Sequence, residues 1–310
     1  VKTVPPFVGR RQEIDWFTDA LQDVGAGKPH VVLIPGEAGL GKTRLLHEVQ
    51  ALARRSGIQV YHGRCQEDVV LPYLPFVEAL RTQLEQLPGV AAETSGTEAE
   101  LIRQLLPRAV ASTAVASAVT TAQADQDKLR LFLAVSRTLL TVAQSSPALF
   151  AVDDLHWADP SSLDLFQHLV FTLADTAERE PVPLLLVCTY RPREGGERLI
   201  RLLARIQREN ICDTFTLRGL NEAEISALLQ SFGLRSPSHQ LTATVMQATQ
   251  GNPLFIQEVF HHMVQQEALE ERGGSVVTTA SPSDLRLPEE VTSAIATRIQ
   301  GLSEGCRRIL

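Results

Sequence analysis

Residues 36–43 read Gly-Glu-Ala-Gly-Leu-Gly-Lys-Thr and satisfy the pattern G-x-x-x-x-G-K-[ST] at every position. The apolar run His30-Val-Val-Leu-Ile34 leads into this stretch, and Leu45, Leu46, Val49 and Leu52 follow it at helical spacing. A strand, a glycine loop and a helix in that order make a phosphate cradle. Glycines let backbone N–H groups curl inward, and the helix brings its positive end to the same point. Lys42 then has the reach to meet β- and γ-phosphates, and Thr43 can offer its hydroxyl to Mg²⁺.

A phosphate loop speaks for a nucleotide but not for hydrolysis. The second chemical element is the apolar strand Pro147-Ala-Leu-Phe-Ala-Val152, which ends in Asp153-Asp154. A carboxylate at a strand end beside the loop can hold the hydration shell of Mg²⁺, the role assigned to Asp153. Asp154 points the other way, as neighbouring strand residues do, and is the candidate to orient or deprotonate an attacking water. Arg191 closes the next apolar strand, Pro183–Tyr190, on the edge where ligands gather in open parallel sheets. It either senses the γ-phosphate or makes a surface ion pair. Arg198, Arg201, Arg205 and Arg208 lie opposite Leu199, Leu202, Leu203 and Ile206, and read as a solvated helix face in preference to an arginine finger. His156 and Trp157 read as packing residues. His261-His262 has no spaced carboxylate or cysteine partner, which argues against a metal site there.

The elements that must position these groups predict an α/β architecture. Ile14, Phe17, Leu21 and Val24 mark a helix before the first strand. Ile58–His62 alternates as a second strand, and Asp213–Leu217 reads as a fifth. Asp159 before Pro160 is an N-cap followed by proline at the first helical position. Between about residues 71 and 127 the signal weakens. Pro72, Pro75 and Pro88 punctuate helical pieces and Ala111–Ala124 is of low complexity, so this stretch is expected to be a helical insertion. Helical periodicity returns over Leu129–Ala143. Strands alternating with helices imply a parallel sheet covered on both faces.

After Leu220 the strands stop. Asn221 with Glu224 is a capping pattern ahead of Ile225, Leu228 and Leu229, and helices are expected over Leu241–Thr249 and Leu254–Gln266. Gly273–Pro282 is a loop or hairpin. The expected organisation is therefore a P-loop core over residues 1–219, a helical lid over 220–272, and the start of a further domain over 283–310.

Bulk properties bound the function. With 310 residues and 44% hydrophobic composition the chain can bury one large core and small satellites. A net charge of -7 argues against direct nucleic-acid binding, which needs clustered cations. Cys65, Cys188, Cys212 and Cys306 are scattered, which suggests neither a disulfide framework nor a zinc site and fits a reducing cytoplasm. No run has the length of a membrane span and no signal-peptide pattern opens the chain. Residue 1 is Val, and Ser303–Leu310 reads as a helix start, so a longer natural protein is expected.

Phe7-Val-Gly-Arg10 with Glu13, the loop Gly36–Thr43, Val152-Asp-Asp-Leu-His-Trp-Ala-Asp159, Thr189-Tyr-Arg191 and Gly251-Asn-Pro253 resemble, in kind and order, the signal-transduction ATPases with numerous domains (STAND). These are AAA+ relatives, and the similarity is to the ATPase modules of large bacterial LuxR-type and antibiotic-regulator-type transcription factors. The resemblance implies ATP or ADP with Mg²⁺ as ligands. It places Val8, Gly9 and Arg10 beside the adenine and Pro253 over the nucleotide from the helical lid. The phosphates would meet Gly36, Ala38, Gly39, Leu40, Gly41, Lys42, Thr43 and Arg44. It identifies Leu287–Leu310 as the beginning of a winged-helix domain. It also implies covalently linked sensor and effector domains outside this sequence, and nucleotide-dependent self-association. One departure stands out: the second acid is Asp154 where energetic motors have Glu. Its shorter reach implies slow hydrolysis, with ATP for ADP exchange altering the angle between core and lid. The rival readings are an AAA+ loader or remodelling ATPase and a P-loop kinase of a small molecule.

Overall fold

The computed structural model describes residues 6–67, 71–86, 121–266, 268–272 and 275–278. These form two compact units: one comprises residues 11–37 and 42–217, and the other the residues up to Arg10, the loop tip Ala38–Gly41, and residues from Arg218 onward.

The first unit runs α1 (Arg11–Gly25), β1 (His30–Pro35), α2 (Lys42–Arg55), β2 (Gln59–Arg64), α3 (Leu74–Gln86), α4 (Thr121–Ser145), β3 (Ala148–Asp153), a single 3-10 turn (Leu155–Trp157), α5 (Pro160–Ala177), β4 (Leu184–Tyr190), α6 (Glu197–Arg208) and β5 (Asp213–Thr214). The strands form one five-stranded sheet in the order β2-β3-β4-β1-β5, parallel throughout. This is the P-loop arrangement that alternating strand and helix signals predict.

Both faces of the sheet are covered, which is why β3 and β4 read as unbroken apolar runs. Period-2 alternation sorts their residues. Phe150 and Val152 of β3, Leu186 and Cys188 of β4, and Leu33 of β1 share a core with Phe76, Leu80, Leu139, Phe166, Leu169 and Leu202 of α3 to α6. Their neighbours Leu149, Ala151, Leu185, Val187, Val32 and Ile34 are buried toward the opposite face, where α1 and α2 pack on the sheet. The register levels the strand ends: Pro35 pairs with Tyr190, Val152 with Cys188 and Arg64 with Asp153. Four chemically distinct termini thus come to one edge.

Two details differ from the sequence-based expectation. α4 starts at Thr121 and so takes in the end of the low-complexity stretch, whose alanines suit a helix; residues 87–120 lie outside the described residues. β5 spans two residues where five were expected, although Phe215 N–H and Leu217 N–H still donate to Leu33 O and Pro35 O, both at 2.9 Å. As an edge strand β5 pairs on one side only.

The second unit contains α7 (Glu222–Ser231), α8 (His239–Thr249), α9 (Pro253–Gln265) and an antiparallel hairpin of β6 (Leu269–Arg272) with β7 (Ser275–Thr278). The hairpin decides the alternative that the glycines near residue 273 left open. Ile225, Leu228, Leu229, Leu241, Val245, Ile256, Val259 and Met263 make its core, with Val8 packed against it. At α7 the capping box is complete: Glu224 N–H donates to Asn221 Oδ1 at 3.0 Å and Asn221 N–H to Glu224 Oε2 at 2.9 Å. The expected winged-helix start over 283–310 lies outside the described residues.

Candidate functional site

In the first unit the site is built where β1, β3 and β4 end. Lys42 and Thr43 open α2, directly after the glycine loop. Lys42 Nζ turns back onto that loop, donating to Gly36 O at 2.8 Å and Glu37 O at 3.1 Å. Burial lowers the Lys42 pKa, with a further push from the Arg191 charge; Asp154, Asp153 and Glu194 oppose it. Thr43 Oγ1 donates to Asp153 Oδ2 at 2.9 Å. The other Asp153 oxygen, Oδ1, accepts a short hydrogen bond from Thr189 Oγ1. Asp153 is fully buried, so these partners are what its carboxylate has in place of water. Strand parity explains the meeting: Asp153 follows Leu149 and Ala151, and Thr189 follows Leu185 and Val187, on the face that carries α2.

Asp154 lies one residue beyond the strand in the left-handed region, φ 58° and ψ 44°. Its N–H donates to Thr189 Oγ1 at 2.9 Å, so one threonine aligns both acids. The Asp154 carboxylate is then claimed by Arg64 at the end of β2. Nε and Nη2 both donate to Oδ2, at 3.2 and 2.9 Å. The sequence carries no motif for Arg64. Its register opposite Asp153 could be found only once β2 is known to neighbour β3.

Arg191 follows β4 and its Nη1 donates to Glu194 Oε2 at 2.7 Å. Between this pair and Asp154 sits His156, whose side chain is wholly buried, 4.0 Å from Asp154 Oδ1 and 3.7 Å from Glu194 Oε2. Neither ring nitrogen makes a hydrogen bond, and the ring leans on Trp157 with centroids 4.9 Å apart. Burial pulls its pKa down to about 4 against the raising influence of Asp154 and Glu194, so it is neutral at pH 7. Arg44 pairs along its own helix with Glu48 at 3.6 Å.

In the second unit the loop tip meets the residues expected near a base. Gly39 and Gly41 adopt φ of 80° and 86°, conformations that glycine takes without penalty. Gly9 and Arg10 are also left-handed, at 77° and 63°. Arg10 N–H donates to Glu224 Oε1 at 3.1 Å, and its Nη2 to Leu40 O at 3.3 Å and to Arg218 O. Pro253 is the first residue of α9, and Asn252 is its N-cap. Asn252 Oδ1 accepts from Leu254 N–H at 3.1 Å while Nδ2 donates to Ala38 O at 2.9 Å. The sequence offers Asn252 only as the middle of Gly251-Asn-Pro253 and Glu224 only as a capping partner; neither pattern carries a sign of the grip on the loop or on Arg10.

The donor set fits Mg²⁺. Thr43 Oγ1 and Asp153 Oδ2 are hard oxygens already within 2.9 Å of each other, and this ion uses few protein oxygens, keeping waters and substrate phosphate for the rest. Among the described residues no cluster of three or more His, Cys, Asp or Glu is placed to hold a metal on its own. Among them, too, no helix is long and apolar enough to cross a membrane.

A family profile described as AAA ATPase domain matches residues 6–187, and a Domain of unknown function (DUF8739) matches residues 222–275. The chain is 28% identical over 317 residues to an uncharacterized protein, R02095, of Rhizobium meliloti (strain 1021); the match takes in 96% of this chain but only 28% of that protein's length. Among solved structures it is similar to Cdc6p from Pyrobaculum aerophilum, with a TM-score of 0.52 at 13% identity over 86% of this chain and 65% of that one. Drosophila ORC bound to DNA matches with a TM-score of 0.49 at 14% identity, over 98% of this chain and 67% of that one. The Cdc6p likeness agrees with the fold described above, and the AAA ATPase profile spans well over half of the 310 residues with the loop and both acids inside it: the chain belongs to the AAA ATPase domain family.

Proposed function

We propose that this AAA ATPase module is a slow nucleotide switch within a larger signalling or transcriptional regulator. Lys42 and the loop N–H groups bind the phosphates, Asp154 orients the attacking water, and Arg191 senses the γ-phosphate. Val8, Gly9, Arg10 and Pro253 border the base. Mg²⁺, held by Thr43 and through water by Asp153, would supply charge neutralisation at the phosphates. Hydrolysis transfers the γ-phosphoryl group of ATP to water, giving ADP and phosphate. The water must present a hydrogen to Asp154 as it attacks.

The observation that carries the reading is the grip of Arg64 on Asp154. Both hydrogen bonds from the guanidinium fall on Oδ2, so the group that must receive the water is engaged by a charged donor. A carboxylate already short for the task is thereby held back, and nucleotide states outlast a motor's cycle. The size of the Rhizobium relative, of which this chain covers 28%, supports a module among other domains. Cys65, Cys188 and Cys212 are free thiols, as suits a cytoplasmic protein. Nucleotide-dependent self-association is part of the same reading.

The test is steady-state ATP turnover by the isolated protein. The expected rate lies far below the roughly 10 s⁻¹ of a median enzyme. A motor-like rate, transfer of phosphate to a soluble acceptor, or strong stimulation by DNA would each overturn the switch in favour of a motor, a kinase or a loader.

A further inference from the structure

A peptide unit is planar and trans, so its C=O and N–H point in opposite directions. Whatever holds the carbonyl therefore aims the N–H. At the loop tip two carbonyls are held by side chains of the same unit: Ala38 O by Asn252 Nδ2 at 2.9 Å, and Leu40 O by Arg10 Nη2 at 3.3 Å. The N–H groups sharing those two peptide planes belong to Gly39 and Gly41. Both are turned away from the holders, and among the described residues neither meets an acceptor. Two unused N–H donors on a glycine loop are the makings of an anion nest.

The holders are themselves fixed. Asn252 is 7% exposed, and its amide orientation is set because Oδ1 must face Leu254 N–H. A Cβ added at Gly39 would lie 2.5 Å from Asn252 Oδ1, so the amide closes directly over that residue. Arg10 is anchored at both ends, through its N–H to Glu224 and through its guanidinium to Arg218 O.

We propose that Asn252 and Arg10 are positioning residues for phosphate recognition. By holding the Ala38 and Leu40 carbonyls they aim the Gly39 and Gly41 N–H groups at the phosphates of a nucleoside di- or triphosphate. The proposal rests on the ATPase reading and adds its regulation: the N-terminus of α9 becomes a determinant of phosphate affinity. By linkage, phosphate occupancy favours the seated N-terminus of α9 to the same extent.

The experiment compares ADP and AMP binding, by calorimetry, to the wild type and to Asn252→Ser. Serine caps a helix as well as asparagine and adds no charge, but it is too short to keep the donor on Ala38. The ratio of ADP to AMP affinity should fall roughly three- to tenfold, the worth of one orienting hydrogen bond. A cap-only role would leave that ratio where it is. Asn252→Asp, isosteric and an equally good cap, should lower the ratio further by setting a carboxylate against the carbonyl, and it serves if the serine variant does not fold. An unchanged ratio in either folded variant overturns the proposal alone. A wild type that binds neither nucleotide overturns it together with the ATPase reading.

Discussion

The end of the sheet and the loop tip hold their parts with different atoms. At the sheet, the two carboxylates are held by side chains: Thr43 and Thr189 on Asp153, and Arg64 on Asp154. At the loop tip, Arg10 and Asn252 meet main-chain carbonyls. The first region depends on residue type, because an acid or a lysine supplies a charge that few other side chains can. The second depends on reach, because any donor of the right length could hold a carbonyl. Residue types that perform chemistry stand out in a sequence, whereas residues that shape a backbone do not.

Five experiments sharpen or break that contrast. Asp154→Asn should have the largest effect, lowering turnover about 10²-fold or more while leaving ATP affinity within a few-fold, as expected of a residue that handles water. Equal losses in affinity and turnover would assign Asp154 to binding. Lys42→Ala should weaken fluorescent ATP binding by about 10²-fold, since it removes a buried charge from the phosphates; retained affinity would remove the basis of the phosphate site.

Backbone shape should matter as much in the second unit. Gly251 has φ 72°, and an added Cβ would fall 2.2 Å from Leu220 O. Gly251→Ala should therefore cost about 2 kcal/mol. Hydrogen exchange should report the loss in residues 222–265 and spare β3 and β4. Uniform loss across both units would mean that the two do not differ in this way.

Arg64→Ala should raise turnover by several-fold, because Asp154 loses its competing donor. A rate that falls would turn Arg64 from a restraint into a catalytic partner. The last effect concerns pH. His156 has its ordinary pKa of 6.5 pulled down to about 4 by burial, so between those values the unfolded chain binds more protons than the folded one. Stability should then drop as pH falls from 6.5 toward 4, by up to about 1.4 kcal/mol per pH unit. Urea melts of wild type and His156→Gln at pH 7, 6 and 5 isolate this share as the difference in slope.

Much of the fold was legible because its signals are local. The N-cap at α5 is one case: Asp159 Oδ1 accepts from Ser161 and Ser162 N–H at 2.8 and 3.1 Å, as Asp before Pro predicts. The phosphate loop and the two acids announce themselves within a few residues in the same way. Thr189 was visible only as part of a family string. Its task of aligning Asp153 and Asp154 follows from the adjacency of β3 and β4, which no local pattern encodes.

The sequence by itself determined that a strand, a glycine loop and a helix would follow one another, that two acids would end a buried strand, and that a helical unit would follow the sheet. Each rests on chirality, glycine freedom, capping or periodicity, forces that act over a turn or two of chain. Only the tertiary structure decided that Arg64 would hold Asp154, 90 positions away, and that Asn252 would hold Ala38, 214 positions away. Strand order, register and the packing of a distant helix bring those groups to hydrogen-bond distance. A buried or half-buried polar group then takes whichever partner the fold delivers, because going without one costs more than the bond itself returns.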